Sequence, residues 1–156
     1  MRTPSGSTLA AVTVAATVLA LSTSTASGDS GAEQAKIDVE MTDLHNDLGN
    51  VKLAIWRTRA GFPEDETRAL RRYQVPIVAG QAKLKIDHLE PGTWAIAAFH
   101  DENGNGKLDL GIFGIPKEGL GVSRDAKGFF GPPSFEASKL DVRAGEETQR
   151  FKIVYY

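Results

Sequence analysis

Alternation of apolar and polar residues at every second position constrains this chain more than any other feature. Ile37, Val39 and Met41 interleave with Lys36, Asp38 and Glu40, and Val51, Leu53 and Ile55 interleave with Lys52, Ala54 and Trp56. A period of two sends successive side chains to opposite faces of an extended backbone, so these runs read as strands and not as helices. The two runs, linked by the breaker NDLGN, read as a β-hairpin. A further run covers 74–79, where Pro76 argues for a sheet edge, and another carries Ala82, Leu84 and Ile86. After a Pro91-Gly92 turn, every residue from Trp94 to Phe99 is apolar, the pattern of a central strand buried on both faces. Trp56 and Trp94 therefore read as core or edge residues. The chain closes with a short run at 139–142, a turn at Ala144-Gly145, and a strand whose Phe151, Ile153 and Tyr155 face one way.

Residues 57–72 depart from this pattern. Pro63 followed by Glu64, Asp65 and Glu66, then by Arg68, Arg71 and Arg72, suits a short helix or an ordered loop with its acids and arginines pairing on a solvated face. About seven short strands with little helix predict an all-β fold, a single antiparallel β-sandwich spanning residues 35–156.

The first residues predict export. Arg2 is followed by the apolar run LAAVTVAATVLAL and by STSTASG, with Ser24 and Ala26 spaced for cleavage after Ala26. The run is shorter than the ~20 residues that span a bilayer, so 1–26 reads as a signal peptide, with no stable membrane insertion after cleavage. Residues 27–34 read as a disordered leader. The expected location is periplasmic or secreted. The mature chain carries 20 acidic residues against 17 basic ones, a net charge of −3, which is no electrostatic footprint for nucleic acid or an anionic membrane. With no cysteine in the chain, an exported domain must be held by its core or by a metal ion.

Residues 101–136 hold eight of the 16 glycines and keep no period, the mark of one long Gly/Pro-rich excursion. It opens on DENGNGKLD, which follows the calcium-loop template for nine positions. Asp101, Asn103 and Asn105 occupy positions one, three and five, Gly106 the sharp turn at six, the Lys107 carbonyl seven, and Asp109 nine. Alternate oxygens on a tightly curled backbone converge on a centre, which suits calcium. The twelfth position is Ile112 where the template needs a bidentate glutamate, and no helices flank the loop. Glu118, Asp125, Glu136 or water would have to complete the set, with affinity in the weak extracellular class, ~10⁻⁴–10⁻³ M. The competing reading is an Asx-rich turn that bonds only its own backbone.

Residues 89–138 resemble an uncharacterised bacterial exported family, domain of unknown function 2141. The resemblance rests on Pro91, Gly92 and Trp94, on the loop from His100 to Asp109, on Gly114, Pro116 and Glu118, and on Gly131 to Phe135. Leu120 stands where the family has an aromatic, and Gly121-Val122-Ser123 where it has GFS. The resemblance implies an immunoglobulin-like or transthyretin-like sandwich and no assigned activity. A similar turn and Asp/Asn/Gly loop occur in surface-adhesin repeats, where calcium stiffens the module; this implies a structural ion by analogy.

Enzyme motifs are absent: there is no G-x-S-x-G elbow, no H-E-x-x-H, no P-loop and no G-x-G-x-x-G after a strand. A small envelope hydrolase using His100 with Ser123 or Ser134 is the rival reading. Phe129, Phe130, Pro132, Pro133 and Phe135 form a candidate ligand or partner surface, as in a carrier of apolar ligands, or else fold back as a cap. The expectation is a non-enzymatic binding or scaffold module for an unknown protein or small-molecule ligand.

Overall fold

The computed structural model describes residues 34–129 and 131–156. The expected signal peptide and nearly all of the leader lie outside those residues, as does Phe130. Nine strands form two packed sheets: β1 (Ala35–Thr42), β2 (Asn50–Trp56), β3 (Arg71–Val75), β4 (Ile77–Val78), β5 (Gln81–Leu89), β6 (Gly92–Asp101), β7 (Leu120–Val122), β8 (Leu140–Val142) and β9 (Gly145–Lys152). One sheet has the order β4-β5-β1-β9. In the other, β3-β2-β6 continues to β7, and β8 joins β6 beyond β7. The fold is an all-β sandwich, as expected, with two more strands than the sequence pattern displays. No helix among the described residues is long and apolar enough to cross a membrane.

The expected hairpin between β1 and β2 is not formed. β1 pairs with β5 and β9, whereas β2 pairs with β3 and β6 in the opposite sheet. Residues 43–49 therefore arch across the sandwich, and the apolar faces of β1 and β2 meet in the core instead of lying side by side. Ile37, Val39, Met41, Val51, Leu53 and Ile55 are all at most 1 % exposed there. The arch is held by Asp47, whose carboxylate accepts from the backbone N–H of Ala79 and of Gly80 at 2.9 and 2.8 Å. Alternation identifies the face that a strand buries, and both arrangements bury the same face.

One pair also departs from the antiparallel rule. β1 and β9 run parallel through eight register pairs, Ala35↔Gly145 to Thr42↔Lys152. The intervening chain provides the long connection that a parallel pair needs. Pro76 marks an edge as expected: it lies between β3 and β4, which among the described residues pair only with β2 and β5 respectively.

β6 is the central strand predicted from its two-sided apolarity. Trp94, Ile96 and Ala98 enter the main core, while Ala95 and Ala97 enter a second cluster with Ala54, Trp56, Val122 and Phe135. Because side chains alternate, that second cluster lies on the outer face of the same sheet. Phe62 and Ala69 from residues 57–70, and Ala126 and Phe135 from the chain after β7, cover it. The first segment is a loop that contains one short 3-10 turn, Glu66–Arg68. Arg68 pairs with Asp65 at 3.2 Å, but Arg71 donates to the carbonyls of Asp87 and His88, so the arginines only partly pair with acids.

The 101–136 excursion is divided by β7, a strand too short to show a period. Gly121 makes it possible: a Cβ there would lie 2.6 Å from the Lys152 carbonyl and 2.9 Å from Phe151. Phe135 opens the short helix α1 (Phe135–Ser138) and packs edge-on against Phe62, which packs edge-on against Trp56. Its removal leaves a hole under the segment that closes the outer face. Phe135→Ala is expected to cost about 3 kcal/mol in denaturant unfolding; a loss under about 1 kcal/mol would show that this ring does not hold the cover down.

Candidate functional site

β6 ends in two residues of opposite parity, and this places the site. His100 faces the main core and Asp101 the outer side, both 0 % exposed. The Nε2 of His100 lies 2.8 Å from the Leu48 carbonyl, which can only accept, so Nε2 carries the proton. Nδ1 then accepts from the Tyr155 hydroxyl at 2.6 Å, and that hydroxyl accepts in turn from the His45 N–H at 3.2 Å. Burial pushes the Tyr155 phenol above its usual range, with the nearby Glu102 acting in the same direction. These bonds tie the arch, the end of β6 and the C-terminus into one unit.

Asp101 begins the polar loop. Its Oδ2 accepts from the Gly106 N–H at 2.9 Å and lies 3.8 Å from Lys52 Nζ. Its Oδ1 is buried without a hydrogen-bond partner. Across the β2–β6 ladder the register partner of Asp101 is Asn50, whose Oδ1 is likewise buried and unpartnered. Two acceptors orphaned side by side are costly, since each keeps its desolvation penalty without compensation.

The loop curls as its spacing requires. Asn103 Oδ1 accepts from the Asn105 N–H at 3.0 Å, and Asn105 Oδ1 from the Lys107 N–H at 2.7 Å. Their side-chain amides donate to the two carboxylate oxygens of Asp109 at 2.6 and 3.1 Å. Gly104 and Gly106 adopt φ of +73° and +77°, the left-handed turns that a β-carbon disfavours. The Asx-turn reading is thus present in the bonds, and it is not an alternative to the convergent one: each amide oxygen keeps a lone pair.

Glu118 closes the arrangement. It is 5 % exposed, and its carboxylate accepts from the Glu102 N–H at 3.1 Å and the Asp109 N–H at 2.9 Å. One side chain thereby clamps both ends of the loop. Of the outside completers considered from sequence, Glu118 is the one hydrogen-bonded to the loop. Asp125 accepts from Lys152 N–H and Glu136 from Lys139, each away from it. Ile112, at the template's glutamate position, is 78 % exposed. Asn50 gave no signal in the sequence, because strand register alone sets it opposite Asp101. Among the described residues, no three His, Cys, Asp or Glu side chains gather into a ready metal cluster. The loop instead offers mixed oxygens: carboxylates of Asp101, Asp109 and Glu118, amides of Asn103 and Asn105, and the Lys107 carbonyl. That donor chemistry fits a hard cation such as calcium, which takes ~6–8 oxygens, and does not suit a soft one.

The remaining candidates lie apart from this loop in their bonding. Ser123 is fully buried, its hydroxyl donating to the Ser138 carbonyl and accepting from the Ile96 N–H, and Ser134 caps α1 by accepting from the Ala137 N–H. Phe135 lies in the outer-face cluster and does not line an exposed surface. Phe129 is 96 % exposed, Pro132 is exposed and Pro133 half-buried. The proposed aromatic surface is thus split, with Phe135 acting as a cap.

Gly49 connects the arch to the site. It has φ +62°, and a Cβ there would lie 1.9 Å from the Asp101 main-chain oxygen. Gly49→Ala is expected to destabilise by at least about 2 kcal/mol in denaturant unfolding, from left-handed strain and the clash together. An unchanged midpoint would show that the arch does not press on the end of β6.

Comparison with curated proteins and with solved structures gives no significant match. A profile described as an uncharacterised protein conserved in bacteria, DUF2141, matches residues 39–150. That span runs from within β1 to within β9 and includes the arch, the polar loop and Glu118, so the chain belongs to the DUF2141 family.

Proposed function

We propose that this is an exported, non-enzymatic binding or scaffold module whose 101–118 end is organised by a calcium ion. The observation that carries the reading is the buried, unpartnered Oδ1 of Asp101, on a carboxylate whose other oxygen is already bonded inside the polar loop. Asn103, Asn105, Asp109, Glu118 and the Lys107 carbonyl supply the further oxygens. Glu118 brings a third carboxylate that the nine-residue pattern alone lacks, which favours tighter binding than the loop would achieve by itself. Bound there, the ion would fix the loop to β6 and give a cysteine-free domain a second means of rigidity beside its core.

The non-enzymatic part rests on how the candidate catalytic groups are used. Both ring nitrogens of His100 are bonded within the fold, and the Ser123 and Ser134 hydroxyls serve main-chain groups. Export rests on the signal-peptide pattern of residues 1–26.

Thermal unfolding with millimolar calcium and with EDTA tests the reading. A ligand at about 100 times its dissociation constant adds ~2.7 kcal/mol, several degrees for a domain of this size. Wild type is expected to gain that shift, and Asp101→Asn and Glu118→Gln, which keep side-chain shape, to lose it. Coincident wild-type midpoints in calcium and EDTA would rule the ion out.

A further inference from the structure

The polar loop carries an apolar finger at its root. Directly after Asp109, residues 110–116 fold back as a closed hairpin. Leu110 bridges Pro116, the Gly111 N–H donates to the Ile115 carbonyl at 2.7 Å, and the Lys117 N–H donates to the Asp109 carbonyl at 2.9 Å. Its tip is the 3-10 turn Ile112–Gly114. Leu110, Ile112, Phe113 and Ile115 are 55, 78, 96 and 51 % exposed. Phe113 is also held at φ +61°, a left-handed backbone that its β-carbon disfavours. An aromatic ring kept in strained backbone and almost wholly in solvent contributes nothing to the core, which points to a use outside the fold.

The shape and charge of the finger select its partner. Four exposed apolar side chains within one short closed hairpin can all be covered together by a fluid acyl layer. Two exposed lysines flank it, Lys107 before and Lys117 after, with the Lys117 stem lying over Gly111 at the base. Such lysines bury their stems and leave their ammonium groups at the level of phosphate headgroups. The carboxylates at the root, Asp109 and Glu118, oppose an anionic surface until a divalent cation neutralises them. The chain's net negative charge does not recruit it to such a membrane; the local cation does.

We propose that residues 110–116 enter the interfacial layer of an anionic phospholipid bilayer, and that calcium held at their root switches this reversible contact on. The switch rests on the calcium reading above, while the finger itself rests on its exposure, strain and flanking lysines.

The test is flotation with vesicles of mixed neutral and anionic phospholipid, in calcium and in EDTA, comparing the protein with its Ile112→Ser, Phe113→Ser variant. Any affinity common to both chains, such as that of the N-terminal apolar run, cancels in the difference. Wild type is expected to bind about tenfold more in calcium than in EDTA, and the variant to stay near the EDTA level, since one large apolar side chain entering lipid is worth about tenfold or more. The variant changes only exposed residues and is expected to keep the calcium shift in unfolding midpoint. Equal capture of the two chains in calcium, with that shift intact, overturns the finger and leaves the ion reading standing. Loss of the midpoint shift in wild type overturns the ion reading and the switch with it. Calcium-dependent dimers of wild type without vesicles, absent in the variant, would make the finger a protein contact and overturn the lipid proposal.

Discussion

The two-sided burial of β6 is the constraint on which the rest of this structure depends. A strand apolar on one face needs one cover; β6, with alanines and an isoleucine between Trp94 and Phe99, needs two. The facing sheet supplies the first. The second must come from segments with little regular structure, and these carry Phe62 and Phe135 inward. The alanines matter as much as the large rings, since small side chains on β6 let the covering segments approach. Where the strand ends, the same alternation sends His100 into the core and Asp101 to the other side. One residue becomes a staple and the next begins a polar loop.

A buried carboxylate at a strand end is tolerated only if its surroundings compensate it. Asp101 has the Gly106 N–H and Lys52 on one oxygen and nothing on the other. Glu118 meets the same requirement differently, with a main-chain donor on each oxygen. This gives physical content to the segment Gly114, Pro116, Glu118. It returns the chain from the finger so that one carboxylate reaches both ends of the polar loop, and Gly119 then slips beneath Ile153 and Tyr155, where a Cβ would lie 2.5 Å from either.

The readable and unreadable parts of the sequence divide along the range of the interactions involved. Two-sided apolarity is local, so β6 could be recognised from its own residues, and Pro76 named an edge because proline lacks the donor that an inner strand needs. The curl of 101–109 was legible for the same reason, being set by side chains bonding main-chain groups a few residues away. The β1–β2 arch was misread because alternation reports a buried face and not the neighbour. Asn50 was invisible as a site residue, since only the ladder between β2 and β6 brings it to Asp101. For Phe135 the sequence left two readings, an exposed surface or a cap folded back; what decides it is packing against Phe62, next to Trp56, more than seventy residues earlier.

The parallel pairing of the first and last strands has a mechanical consequence. β1 begins opposite the start of β9, and both run the same way for eight pairs. A pull between the two ends of the domain therefore drags these strands past each other along their length, loading every rung of the ladder together in shear. An antiparallel terminal pair would be peeled open one rung at a time. The side chains reinforce the joint, with the Arg150 guanidinium gripping Glu40 across it. A domain built this way bears tension along its chain on the whole ladder at once, before its core is opened.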